Sequence, residues 1–189
     1  VKNTEGDLEK LSRVILSEAK DPGDSSVRPQ NDSSGVELVE WDEDAEDKIV
    51  ASLLYKYSGL AYQDIKDQVS RLTSKQKLEI VKKATVRRQV RQHRLVRAFE
   101  NTYYKFDIVG NLGAYRDLHR HRMLTQERQR FTTELGYDMP KELTSAKMEK
   151  PFIDAAGKID RFYRKVKKRY PNQAQYVVMM ANRIRWYQW

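Results

Sequence analysis

Cysteine is absent from all 189 residues. Its absence removes disulfides, thiolate metal sites and a cysteine nucleophile, and it fits a reducing compartment, so a cytoplasmic location is the expectation. No run of eighteen apolar residues exists for a membrane helix. The opening stretch VKNTEGDLEKLSRVILSEAKDPG also lacks the uninterrupted apolar core of a signal peptide. Histidine is scarce: of the three, His119 and His121 stand two apart among cations that would repel a metal ion, so none of them, His93 included, reads as a ligand. Serine and threonine are present, but no recognisable base constellation accompanies them, and hydrolytic nucleophile chemistry is not expected. No internal repeat is visible.

What is present is charge, unevenly spread. Residues 1–48 hold 6 Lys/Arg against 14 Asp/Glu, and residues 49–189 hold 30 against 13, so an acidic leader precedes a strongly basic body. Such a body attracts phosphates or other polyanions, and nucleic acid, a nucleotide cofactor and an acidic partner protein all stay open at this point. With 39% hydrophobic residues the chain can bury one sizeable core, which sets the expectation of one domain. Residues 1–35 have the composition of a disordered linker, too poor in burial to offset ordering entropy, and residues 36–189 form the expected domain.

Along the body, GVELVEW alternates as a short strand. A helix follows, with an acidic first turn, Ile49, Val50, Leu53, Leu54 and Tyr57 at helical spacing, and Gly59 to close it. Ile65, Val69 and Leu72 mark a second, shorter helix. Ser74 is the expected N-cap of a third, carrying Leu78, Val81 and Ala84 on one side and running into the basic tract KKATVRRQVRQHRLVR. Val86, Val90, Leu95 and Val96 are expected to bury one side of that tract. Tyr104, Phe106 and Ile108 alternate as a strand, and a helix is expected from Ala114, with Leu118 and Leu124 as apolar points. Gly136 and Pro140 break it. The spacing predicts a long helix over residues 147–170, with Phe152, Ile153, Ala156, Ile159, Phe162 and Val166 inward. AQYVVMM then reads as a buried strand, and the terminal NRIRWYQW as a basic, aromatic segment without a closing element. The class is α+β, mixed helices with an antiparallel or mixed sheet.

The stretch GAYRDLHRHRMLTQERQRF concentrates five arginines and two histidines in residues 113–131. On a continuous helix Arg120 and Arg122 would diverge by about 200° at 100° per residue. Both can grip one ligand only if the helix ends or distorts there, or if two ligands or two subunits meet there. Guanidinium forks suit phosphates, and His121 could add a donor or stack on a ring. Basic residues interleaved with Tyr103, Tyr104 and Phe106 also suit sequence-independent nucleic-acid binding.

Arg120, His121 and Arg122, followed by MLTQERQRF and preceded by FENTYYKFDIVGNLGAYRDLH, resemble the flavin-dependent thymidylate synthase family. Its signature is Arg-His-Arg, then seven residues, then Ser within a stretch like Asn-Glu-x-Ser-x-Arg-Tyr. The family also carries a Glu-His pair and a strand of the Phe-Thr-Phe-x-Ile kind, whose places Glu100, Tyr104, Phe106 and Ile108 take here. The similarity covers roughly residues 36–189 and is nearest to longer, divergent members in which such a domain occurs twice. The resemblance implies a mixed α+β fold, a homotetramer with sites between subunits or a pairing with a second similar domain, and FAD as cofactor. It further implies reductive methylation of dUMP to dTMP, with methylenetetrahydrofolate as carbon donor and NADPH as reductant. Arg120, His121 and Arg122 would hold the flavin, with Gln126 and Glu127 near the pair that orders flavin and substrate. The reaction needs no protein nucleophile, because the flavin carries the hydride.

Three departures accompany the resemblance. Arg130 stands where the family has its substrate-binding serine, which makes Arg130 the candidate for that contact. Asn101 follows Glu100 where the family has a flavin-contacting histidine. The chain ends before the family's later arginine-bearing helix, and Val1 stands where a methionine would open a chain, so sequence is expected to continue at both ends. A catalytically degenerate partner domain of the same fold is the alternative reading, and a basic nucleic-acid-binding module the third.

Overall fold

The structure, a computed structural model, describes residues 35–90 and 92–189. The linker expected over residues 1–35 therefore lies, but for Gly35, outside the described residues. Four strands form one antiparallel sheet: β1 (Gly35–Trp41), β2 (Tyr104–Asn111), β3 (Gln126–Arg128) and β4 (Arg183–Gln188), in the order β1-β2-β4-β3. Helices α1 (Ala45–Tyr55), α2 (Tyr62–Val69) and α3 (Ser74–Thr85) lie between β1 and β2 in sequence. After β2 come α4 (Leu112–Leu118), α5 (Lys141–Ser145), α6 (Glu149–Lys167) and α7 (Pro171–Ala174). This is the α+β class expected.

The two central strands explain the layering. Ile108 pairs with Trp186 and Gly110 with Ile184, so these residues share one face of the sheet. Leu112 and Tyr115 of α4 close over that face, giving a cluster of Ile108, Leu112, Tyr115, Ile184 and Trp186. Asp107, Arg185 and Tyr187 alternate onto the opposite face. Gly110 permits the close approach: a Cβ there would stand 3.0 Å from Cη2 of Trp186.

The length predicts one core, but the buried residues fall into two clusters. Val50 and Ala51 of α1 and Ile65 and Val69 of α2 form the second, backed by Ile80 and Val81 of α3. Three amphipathic helices joined by short connections bury their apolar stripes on each other before the sheet is reached. Helix α3 begins one residue earlier in its capping than expected. Thr73 is extended (φ −71°, ψ 153°), accepts from the Gln76 amide at 3.4 Å, and donates its own amide to Gln76 Oε1 at 2.9 Å. That reciprocal arrangement is a capping box. Thr73→Ala should lower stability by about 1 kcal/mol, read as a lower urea midpoint with an unchanged slope.

Four expectations fail locally. The basic tract after Thr85 is not helical, and Val86, Val90, Leu95 and Val96 are all exposed instead of burying one side. Valines have weak helix propensity, and neighbouring like charges repel. It closes on itself: Arg88 Nε donates to the His93 carbonyl at 3.2 Å, and the Gln89 amide to His93 Nδ1 at 3.3 Å. In α6 the buried stripe runs through Ala156 and Tyr163, while Ile153 and Phe162 are half exposed. AQYVVMM is no strand. Pro171 starts the one-turn α7, a 3-10 turn follows over Gln175–Val177, and the chain reaches the sheet only at Arg183. The terminal segment is the missing closing element, β4, whose inward Ile184 and Trp186 were masked in sequence by the arginines between them.

Candidate functional site

Helix α4 is capped by Asn111, whose Oδ1 accepts from the Ala114 amide at 2.8 Å, so it starts at Leu112, before the Ala114 expected from sequence. It stops at Leu118, ahead of the arginine signature. The His119 and His121 amides donate to the Tyr115 and Leu118 carbonyls at 2.8 and 2.9 Å, which turns the chain out of the helix. The loop is then pinned to the end of β4 by paired backbone bonds of 3.0 Å between Thr125 and Trp189. Arg120, His121 and Arg122 sit on this loop with exposed side chains, which make no hydrogen bond or ion pair among the described residues. Their divergence on an ideal helix is removed, because the helix ends first. The helix carboxyl end also favours cations beside it.

Beside the loop lies an open cavity of about 660 Å³. Phe99 and Asn101 line one side, Tyr104 and Phe106 of β2 the floor, and Leu124 and Trp189 the other side. Met123, Leu124 and Thr125 of the loop line the cavity, but Arg120, His121 and Arg122 do not; aromatic walls of this kind suit a ligand with a flat ring system. Thr102, Thr125 and Trp189 also line the cavity and were not singled out in the sequence; the terminal aromatic segment was the available signal.

The other candidates spread out. Gln126 lies on the helix-covered face, where its amide donates to Gln188 Oε1 at 2.9 Å, and that oxygen also accepts from Trp186 Nε1 at 3.2 Å. Glu127 alternates onto the opposite face, in a shallower groove of about 440 Å³ shared with Lys105, Asp107, Arg185 and Tyr187. One pocket of this chain therefore does not receive both. Arg130 is exposed just beyond β3. Asn101 spends its side-chain donors on the helical layer, giving to Ser52 Oγ at 2.9 Å and Tyr62 Oη at 3.0 Å.

The open sheet face is organised by charge. Tyr103 donates to Glu40 Oε1 at 2.7 Å, Lys105 pairs with Glu40 Oε2, and the Lys105 ammonium stands 5.5 Å from the Trp189 ring centroid. The Lys105 and Tyr103 hydrogen bonds hold the Glu40 carboxyl below its ordinary range. Lys167 does the same for Glu134, and Arg164 with Thr133 for Asp160. A carboxyl depressed by folding contributes stability that is fully present above the unfolded pKa, about 4.3 for glutamate, and lost as pH falls through the folded value. Thermal midpoints should be flat near neutrality and fall in that acid window. Glu40→Gln should show its loss already at neutral pH and a shallower acid limb, measured by melting across pH.

Among the described residues no helix is long and apolar enough to cross a membrane. Residues 37–188 match the family model described as thymidylate synthase complementing protein. A UPF0159 protein of Chlamydia muridarum is 42% identical over 152 residues, which make up 80% of this chain and 29% of that protein. A UPF0159 protein of Thermoplasma acidophilum is 30% identical over 155 residues, 78% of this chain and 30% of that one. The chain thus spans under a third of the length of these curated relatives. The UMP/dUMP methylase PolB from Streptomyces cacaoi, bound with 5-Br dUMP, shares the fold at a TM-score of 0.57 and 13% identity, over 82% of this chain and 72% of that one. The flavin dependent thymidylate synthase ThyX from Helicobacter pylori, complexed with FAD and dUMP, does so at 0.53 and 17%, over 81% and 76%. The Arg-His-Arg resemblance is borne out at the level of family and fold: this chain belongs to the thymidylate synthase complementing protein family.

Proposed function

We propose that this chain is part of an FAD-dependent thymidylate synthase that methylates dUMP to dTMP, with methylenetetrahydrofolate supplying the carbon and NADPH the electrons. The observation that carries the reading is the loop after α4: Arg120, His121 and Arg122 expose side chains that make no hydrogen bond or ion pair among the described residues, and the next residues, Met123, Leu124 and Thr125, line an aromatic-walled cavity. The residues present fit FAD in kind: guanidinium forks for the diphosphate, and Tyr104, Phe106 and Trp189 for a flat ring. Bound FAD supplies hydride transfer. The chain's own part is to bind, to orient, and to exclude water on the side closed by Phe99 and Tyr104. Gln126 steadies the strand behind the loop through Gln188, Glu127 belongs to a neighbouring ligand or subunit on the opposite face, and Arg130 offers dUMP a phosphate contact in place of the family's serine. Completion of the site by further copies, as a homotetramer, or by a second similar domain is part of the reading, as is a cytoplasmic location.

The degenerate-domain reading has its own support. Asn101 replaces the family's histidine and has no donor to spare, since both contacts go to Ser52 and Tyr62. Visible absorption of this chain and of the full natural protein, followed by FAD titration and a dUMP methylation assay, separates the two. Bound flavin that bleaches with NADPH, together with dTMP formation, is the expected result. Flavin-free protein from both, with no dTMP, would leave a structural domain.

A further inference from the structure

On the other side of the Arg97–Glu100 turn from the candidate site, a concave groove of about 850 Å³ opens between α1, α3, Val86 and Arg87, and the segment Val96 to Ala98. Its floor is aliphatic: Leu53 and Leu54 of α1, Ile80 and Ala84 of α3, and Val86 and Val96 of the tract. Val86 and Val96 are 74% and 49% exposed, so the tract presents apolar surface that nothing among the described residues covers. Lys56, Lys83, Arg87 and Arg97 line the same groove, and no aspartate or glutamate does. Lys83 and Arg97 each meet one exposed carboxylate, Glu79 at 2.9 Å and Glu100 at 3.2 Å, while Lys56 and Arg87 have no acidic partner among the described residues.

We propose that this groove docks an acidic amphipathic helix from a separate partner protein. The floor accepts a row of apolar side chains at i, i+3, i+4 and i+7, and the cations receive carboxylates on the helix flanks. The alternatives fit less well. Single-stranded nucleic acid needs flat aromatic platforms, and Tyr57 is the one aromatic residue of the groove. A bilayer surface cannot reach the floor of a concavity. The tract itself explains why the site exists: its valines find no cover among the described residues, and its cations keep a neutral apolar partner from being the natural cover.

The test uses the whole 189-residue chain and a labelled helical peptide of about five turns, with leucines at the docking positions and glutamates elsewhere. A scrambled peptide of identical composition serves as comparison, with binding read by fluorescence anisotropy at physiological salt. The amphipathic peptide should bind at least about tenfold more tightly than the scrambled one, and Lys56→Glu with Arg87→Glu should weaken it by about tenfold or more. Both residues are exposed, so circular dichroism should be unchanged. Lys158→Glu with Lys165→Glu, exposed on α6 away from the groove, makes the same change in net charge and should have little effect. Equal binding of the scrambled peptide, equal loss in the α6 variant, or no binding by either peptide overturns the proposal. Displacement by an oligothymidylate that is itself sensitive to the Lys56/Arg87 change overturns it in favour of nucleic acid.

Discussion

Replacing Arg120 and Arg122 together by alanine should lower FAD affinity at least about a hundredfold and leave the thermal midpoint unmoved. The size follows from the contacts expected. Hydrogen bonds to charged groups contribute about 1.5–3 kcal/mol each, and the loss of two amounts to two or more factors of ten in affinity. The unchanged midpoint follows from the structure: both side chains are exposed and make no hydrogen bond or ion pair among the described residues. The loop is held by backbone bonds, Leu124 to His121 and Thr125 to Trp189, which alanine leaves intact. Lysine at both positions should recover only part of the affinity, since an ammonium keeps the charge and loses the paired donors. Flavin titration with parallel melting is the measurement. A double variant that keeps flavin at unaltered affinity would remove the site assignment, and a variant that unfolds would show the loop to be structural.

Trp186→Ala should destabilise the protein by about 3–5 kcal/mol, the range for a large aromatic removed from a packed core. Trp186 is 2% exposed on β4, the strand that joins β2 to β3. Its ring meets Tyr115 edge-on at 5.3 Å and lies against Gly110, and its indole N–H donates to Gln188. The cavity left behind would sit between sheet and α4, where neither layer can collapse without breaking the β2·β4 register. Against a total stability of about 5–15 kcal/mol, this is enough to lower the thermal midpoint by about 10 °C or more. Urea unfolding measures it, and a loss below about 1 kcal/mol would mean that α4 does not seal this face. Because α4 leads directly into the arginine loop, the same variant should weaken flavin binding in proportion to the fraction unfolded.

The sequence was most informative where one residue pattern carried one meaning. The helical spacing of Val50, Leu53 and Leu54 and the alternation of Phe106 and Ile108 mark α1 and β2 because each element buries a single face. It was least informative where two signals competed. β4 reads as charged because Arg183 and Arg185 occupy the open face and meet Asp138 and Asp107, partners 45 and 78 residues away in sequence. AQYVVMM reads as a strand because it is apolar, but a proline sits three residues ahead of it, and the register of β2 with β4 takes its residues from farther along the chain. The valines of the basic tract read as buried because apolar residues usually are; among the described residues nothing packs over Val86, Val90 and Val96 closely enough to bury them.

The sequence alone determined the family, through Arg120, His121 and Arg122 and the segment before them, and with it the α+β class. Both are local properties, a short pattern and the period of apolar residues, and local properties are written in order along a chain. It also determined that the body would attract anions, since it carries 30 cations against 13 acids. Only the tertiary structure decided that α4 stops before the signature, that Gln126 and Glu127 face opposite sides of the sheet, and that Asn101 is tied to Ser52 and Tyr62. Those outcomes depend on which distant groups compete for the same hydrogen bonds and the same buried face, and that competition is settled only when the layers meet.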